Sequence, residues 1–184
     1  MPKKINKPTK FFVNSMSDLF HEAMPFSFLD KVFQTINETP KHQYQILTKR
    51  EEILTDYFSK RSVPNNVWLG VTVENAKKKN RIDALRNIEA KIRFLSIEPL
   101  LEDIGTLDLS GIHWVIVGGE SGHRARPMKP EWAMNIQRQC DEQDVHFFFK
   151  QWGTWGADGQ KRSKKANGRI LLGKEWNAAP ENMS

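Results

Sequence analysis

Acidic, basic and hydroxyl side chains stand at the ends of apolar runs along this chain, and chemistry would arise where those ends meet. Asn14, Ser17 and Asp18 follow Phe11-Phe12-Val13, Thr48 and Lys49 end Tyr44-Gln45-Ile46-Leu47, and Thr72 and Glu74 close the run that opens at Val67. Ser96 and Glu98 end the run from Ile92, Glu120 and Ser121 follow Trp114-Val115-Ile116-Val117-Gly118-Gly119, and Lys150, Gln151 and Trp152 follow Phe147-Phe148-Phe149. If these ends line one rim, the carboxylates of Asp18, Glu74, Glu98 and Glu120 share a cleft with Lys49 and Lys150. Neighbouring carboxylates raise one another's pKa and lysines oppose the shift. The set therefore suits acid–base work, with Lys49, Glu98 and Lys150 as candidate catalytic groups, or the binding of a zwitterionic or polyol-like ligand. The competing reading is structural, because Asp, Ser and Glu also cap helices and open loops. Caps alone would not call for Lys49 and Lys150.

The most specific local feature is Gly118-Gly119-Glu120-Ser121-Gly122-His123-Arg124-Ala125-Arg126-Pro127. Glycines directly after a buried strand let the backbone approach a ligand, and the N–H groups of such a turn can hold a phosphate or carboxylate. Arg124 and Arg126 would add bidentate anion contacts. The segment is neither the dinucleotide fingerprint nor a P-loop, and a plain strand-to-loop turn is the alternative. The five histidines lack metal-ligand spacing, so no metal site is expected. There is no G-x-S-x-G elbow, and Cys140 reads as a small core residue on a helix face. Trp152 and Trp155, past the last strand, could wall a pocket or stack on a base.

The elements that must position these groups alternate. Helical spacing or punctuation marks 25–39, 51–62, 75–90 and 129–143, while 100–111 reads as loop plus one short turn. The order β-α-β-α-β-α-β, then an irregular link, then β-α-β, predicts a parallel sheet with right-handed crossovers. About six strands are too few for a closed barrel, which takes about 250 residues. The fold expected is α/β, either an incomplete (β/α) barrel or an open parallel sheet flanked by helices. A basic arm (1–10), a body (11–155) and a polar, basic tail (156–184) complete the layout. The first strand opens so near Met1 that an earlier β-α unit is expected to be missing, leaving an exposed edge prone to self-association.

The chain has 184 residues, 39% hydrophobic and 27% charged, enough for one domain with a real core. A net charge of +6 permits an anionic partner such as nucleic acid, although much of the excess sits in the N-terminal arm, Lys77-Lys78-Lys79 and the stretch from Lys161 to Lys165. One cysteine excludes an intrachain disulfide and any site built from several thiolates of this chain, and fits a reducing cytoplasm. No run approaches the roughly 18 apolar residues of a membrane span.

Phe12-Val13-Asn14-Ser15-Met16-Ser17-Asp18-Leu19-Phe20-His21, Leu47-Thr48-Lys49-Arg50, 66–74, Phe94-Leu95-Ser96-Ile97-Glu98-Pro99-Leu100-Leu101, Gly118-Gly119-Glu120-Ser121-Gly122 and Phe149-Lys150-Gln151-Trp152-Gly153 occur in this order. Together they closely resemble the phage protein family named after gene products thirty-seven and sixty-eight, a family of unknown function found in phages and bacteria. Longer members look like radical SAM proteins, with three closely spaced cysteines of the kind that hold a [4Fe–4S] cluster ahead of the strand matching Phe11 to Val13. The resemblance thus implies that this chain begins after that segment and binds neither cluster nor cofactor alone. S-adenosylmethionine and [4Fe–4S] would belong to a longer or split form. It also implies that Asp18, Lys49, Glu74, Glu98, Gly118, Gly119, Glu120, Arg124, Arg126 and Lys150 line the site, and that the partner is a cysteine-bearing N-terminal half or a second copy at the first strand. The alternative is a stand-alone module for a phosphorylated ligand or nucleic acid.

Overall fold

The computed structural model describes residues 2–14 and 17–180. Met1, Ser15 and Met16 of the first motif, and Glu181 to Ser184 of the tail, lie outside them. Six strands, β1 (Lys10–Val13), β2 (Gln43–Thr48), β3 (Val67–Thr72), β4 (Ile92–Ile97), β5 (Trp114–Gly118) and β6 (His146–Gln151), form one wholly parallel sheet in sequence order. The helices α1 (Phe26–Asn37), α2 (Glu51–Phe58), α3 (Asn80–Arg86) and α4 (Pro130–Glu142) lie in the crossovers, and a short α5 (Lys164–Asn167) lies in the tail. The sheet is a curled half-barrel flanked by these helices. Between β4 and β5 no regular element forms, as the sequence predicts.

Two periodicities build the core. Leu29, Phe33 and Ile36 of α1, Leu54, Tyr57 and Phe58 of α2, Ile82 and Leu85 of α3, and Ile136 and Cys140 of α4 share one cluster with alternate strand residues such as Ile46, Leu69, Leu95 and Val115. The intervening strand residues Trp68, Ile92, Phe94 and Trp114 form a second cluster on the opposite, concave face, to which no helix contributes. Both faces of β3 are therefore covered, and all six of its residues are buried. Phe94 lies over Gly70 of the neighbouring strand, where an added Cβ would stand 2.5 Å from the ring. Glycine at that position makes room for the aromatic layer.

Some helix ends differ from the sequence prediction. The third helix starts at Asn80 rather than Asn75, because Asn75 Oδ1 accepts the Lys77 amide at 3.1 Å and caps a separate 3-10 turn over Ala76–Lys78. The second ends at Phe58, where the Ser59 hydroxyl turns back to the Asp56 carbonyl at 2.7 Å. The described part of the tail, 156–180, packs on the body. It carries a hairpin of β7 (Ile170–Leu171) and β8 (Lys174–Glu175), and the Phe149 amide donates to the Trp176 carbonyl at 3.0 Å. The Trp114 indole N–H reaches the Ala178 carbonyl at 2.8 Å. The tail thereby covers the β6 edge. At the other edge, no chain among the described residues pairs with the free side of β1. No described helix is long and apolar enough to cross a membrane.

Gly70→Ala should destabilise the protein by about 1–3 kcal/mol through overpacking against Phe94. Urea denaturation checks this, and an unchanged midpoint would mean that the ring is not seated on β3.

Candidate functional site

Parallel pairing in sequence order turns every strand's carboxyl end to one rim, and the alternation of side chains decides which groups face inward. Thr72 and Ser96 pair in register on the concave face, both buried. Glu74 and Glu98, two residues further along their chains, and Lys150 on β6 continue that face to the rim.

Glu98 spans from the end of β4 to β6. Its Oε2 accepts from Lys150 Nζ at 2.8 Å and its Oε1 from Gln151 Nε2 at 3.0 Å, and Gln151 Nε2 also reaches Ser121 Oγ at 3.3 Å. The side chain crosses over Gly118 of the intervening strand, where a Cβ would lie 3.1 Å from the carboxyl carbon. Gly118 is thus a clearance for Glu98. Gly119 has a different reason: a Cβ there would fall 1.9 Å from the Trp152 carbonyl oxygen. Its close approach is to the protein's own backbone, which is reason enough for a glycine there.

Around β1 to β3 the charges form a second network. Asp18 Oδ1 accepts from Thr48 Oγ1 at 2.7 Å and the Phe20 amide at 2.9 Å, and its Oδ2 accepts the Lys49 amide at 3.0 Å and Arg50 Nη1 at 3.4 Å. So fully engaged a carboxylate is a tether between the β1 loop and β2, the structural role weighed above. Lys49 Nζ stands 3.9 Å from Glu74 Oε1 and is half exposed. Glu74 Oε2 accepts from Arg81 Nη1 at 3.0 Å, and Arg81 also donates to Glu51 Oε2 at 3.0 Å and the Thr72 carbonyl at 2.8 Å. Burial works against ionisation of Glu51, yet hydrogen bonds from its own backbone, Asn80 and Arg81 outweigh it and lower its pKa. Asn14, in the left-handed region at φ 57, ends β1 and with Ser17, Asp18, Lys49, Arg50 and Thr72 lines a cavity of about 390 Å³, walled on its apolar side by Phe12 and Leu47.

The rim is therefore two adjoining polar networks, of which the cavity takes in only the second, around β1 to β3. Glu120 belongs to neither. Arg126 holds it in a fork, Nε to Oε2 at 2.9 Å and Nη2 to Oε1 at 2.8 Å, with the Arg126 amide adding 2.7 Å. Those side-chain bonds, then the amide, pull the Glu120 pKa down to about 2. Arg126 is thus already occupied, whereas Arg124 is exposed with no ion-pair partner among the described residues. Trp152 is buried, its indole N–H bonded to the Ile170 carbonyl at 2.8 Å. Trp155 donates to the Ala125 carbonyl at 2.7 Å and pins the loop after β5.

A family model described as "Protein of unknown function (DUF5131)" matches residues 1–180. The chain belongs to this family. No curated protein and no solved structure matches it.

Arg81 was not among the residues singled out from the sequence. The signal lay in the basic run from Lys77 to Arg81 at a helix start, where acidic residues are the norm; a buried arginine there needs carboxylates, and Glu51 and Glu74 meet it.

The Glu120–Arg126 pair gives a pH prediction. The folded pKa lies below the ordinary value of 4.5, so the pair's contribution is in place above that pH and is lost as pH falls through about 2. Carboxyl-detected NMR should find Glu120 titrating near 2, and Arg126→Ala should return it toward 4.5. Titration near 4.5 in the unaltered protein would rule out the fork.

Proposed function

We propose that this chain is the cluster-free part of a radical-SAM-like barrel, that its rim binds a small zwitterionic ligand, and that it does no radical chemistry alone. S-adenosylmethionine is the ligand that the motif resemblance to the phage family favours. The observation that carries the reading is the placing of opposite charges on the rim: Lys49 faces Glu74 at 3.9 Å beside the cavity, and Lys150 bonds Glu98 at 2.8 Å. At 3.9 Å from Glu74, the Lys49 ammonium keeps its donors for a ligand carboxylate. Glu98 would accept the ligand's ammonium in exchange for Lys150, and Phe12 and Leu47 offer an apolar wall to its remaining groups.

A [4Fe–4S] cluster does not fit the residues present. Holding one takes several closely placed thiolates, whereas Cys140 is alone in the sequence, buried, and its thiol is pushed up to about 12 by burial. Among the described residues no group of three or more His, Cys, Asp and Glu could hold a metal. Radical formation from bound S-adenosylmethionine would need electrons from a cluster held outside this chain.

The second reading is a module for a phosphorylated ligand or nucleic acid. It is favoured by the position of Lys77, Lys78, Arg124, Lys161, Lys164 and Lys165, which follow β3, β5 and β6 and so lie on the rim side.

Calorimetric titration with S-adenosylmethionine separates the two. The first reading predicts binding that changes little from low to moderate salt and weakens about tenfold or more in Lys49→Ala/Glu98→Ala, where the contacts to the ligand's carboxylate and ammonium are lost. No heat with S-adenosylmethionine, together with single-stranded DNA binding that falls steeply with salt, would replace it with the second.

A further inference from the structure

We propose that the open edge of β1 and the apolar groove beside it take up an extended segment of another polypeptide, a strand of alternating apolar residues with acidic flanks. β1 pairs with β2 alone, and no described chain lies along its other side. The Thr9 carbonyl accepts the Gln43 amide at 3.0 Å. Successive residues of a strand turn their backbone groups to opposite sides, so Thr9, Phe11 and Val13 face β2, and Lys10 and Phe12 present their N–H and C=O groups outward. Such a row is a template for another strand. The β6 edge of the same sheet is covered by the tail, so the two edges are treated differently.

Beside that edge lies a groove of about 410 Å³ lined by Phe11, Val13, Val32, Ile36 and Tyr44. It can receive every second side chain of an added strand. Phe12, 46% exposed, lines this groove and also the rim cavity. One strand laid on β1 would therefore cover Phe12 and wall the open side of the rim.

The frame of the groove is basic. Lys4, Lys7 and Lys31 are exposed and have no carboxylate partner among the described residues, while Lys3 is paired with Glu38 and Lys10 sits 5.5 Å over the Trp68 ring. A second copy would set lysines against lysines, which disfavours it; acidic flanks complement them. The occupant is accordingly a different, acidic-flanked strand. This inference rests on the sheet edge and is independent of the rim ligand.

The probe is a labelled peptide alternating valine and threonine between runs of glutamate, followed by fluorescence anisotropy on the full chain. Binding is expected, with the lysine-flanked analogue weaker by at least about tenfold. Phe12→Pro should abolish binding, because it removes an outward donor while sparing the β1–β2 ladder. Lys7→Glu/Lys31→Glu should reverse the preference between the two peptides, and decides the matter if Phe12→Pro fails to fold. Equal binding of both peptides, or full affinity in a folded Phe12→Pro, overturns the proposal. So does a dimer in light scattering that Phe12→Pro dissociates, since the occupant would then be a second copy.

Discussion

A parallel sheet whose strands follow one another in sequence order places its crossover helices on one face, and the opposite face must be filled by the strands themselves. Trp68, Phe94 and Trp114 meet that constraint here. Their rings pack together, Trp68 edge to face with Trp114 and Phe94 tilted against Trp114, each pair at 5.7 Å between centroids, and Phe94 occupies the space that a side chain on Gly70 would take. The result is a solid floor to the concave face, as in closed barrels, whose interiors are packed cores rather than pores. The rim groups Thr72, Ser96 and Glu98 stand above that floor, toward the carboxyl ends of the strands. Without it, Thr72, Ser96 and Glu98 would border an open channel instead of a shallow basin.

The rim separates charges that hold the fold from charges that are free to exchange. Asp18 is satisfied by groups at the end of β2, and the Glu120–Arg126 fork within its own loop. Arg81 is buried, and truncating it would strand two carboxylates, so its role is to fix the start of α3 against β3. The pairs Lys49–Glu74 and Lys150–Glu98 differ, because each lysine is half exposed. Exposed ion pairs contribute only about 0–1 kcal/mol, and stability is a weak reason for placing two of them on a concave rim. Glycine at 118, where Glu98 crosses to β6, is a further accommodation of one of these pairs by the backbone.

Much of the architecture was legible in the residues. Short apolar runs ending in polar groups located all six strands, and their alternation with helical segments predicted parallel pairing. What one chain's pattern could not convey was contact between distant segments. Gly118 and Gly119 look alike in sequence, yet one clears a side chain from β4 and the other a backbone carbonyl after β6. Trp152 reads as a ligand wall because it follows the last strand, but the tail folds back to bury it and accept its indole N–H. Arg126 reads as an anion clamp, and Glu120, six residues earlier, is its anion. Two β-bonded residues in each short tail strand are too few to show periodicity, so the hairpin that lies beside β6 left no mark.

The most direct test of a ligand-binding rim is backbone amide NMR of the full chain titrated with S-adenosylmethionine. The account predicts shifts confined to the strand carboxyl ends, at Thr48–Lys49, Thr72–Glu74, Ser96–Glu98 and Lys150–Gln151, with His42, His113 and His146 at the opposite ends unmoved. Shifts clustered at those histidines, or none at saturating ligand, would contradict it.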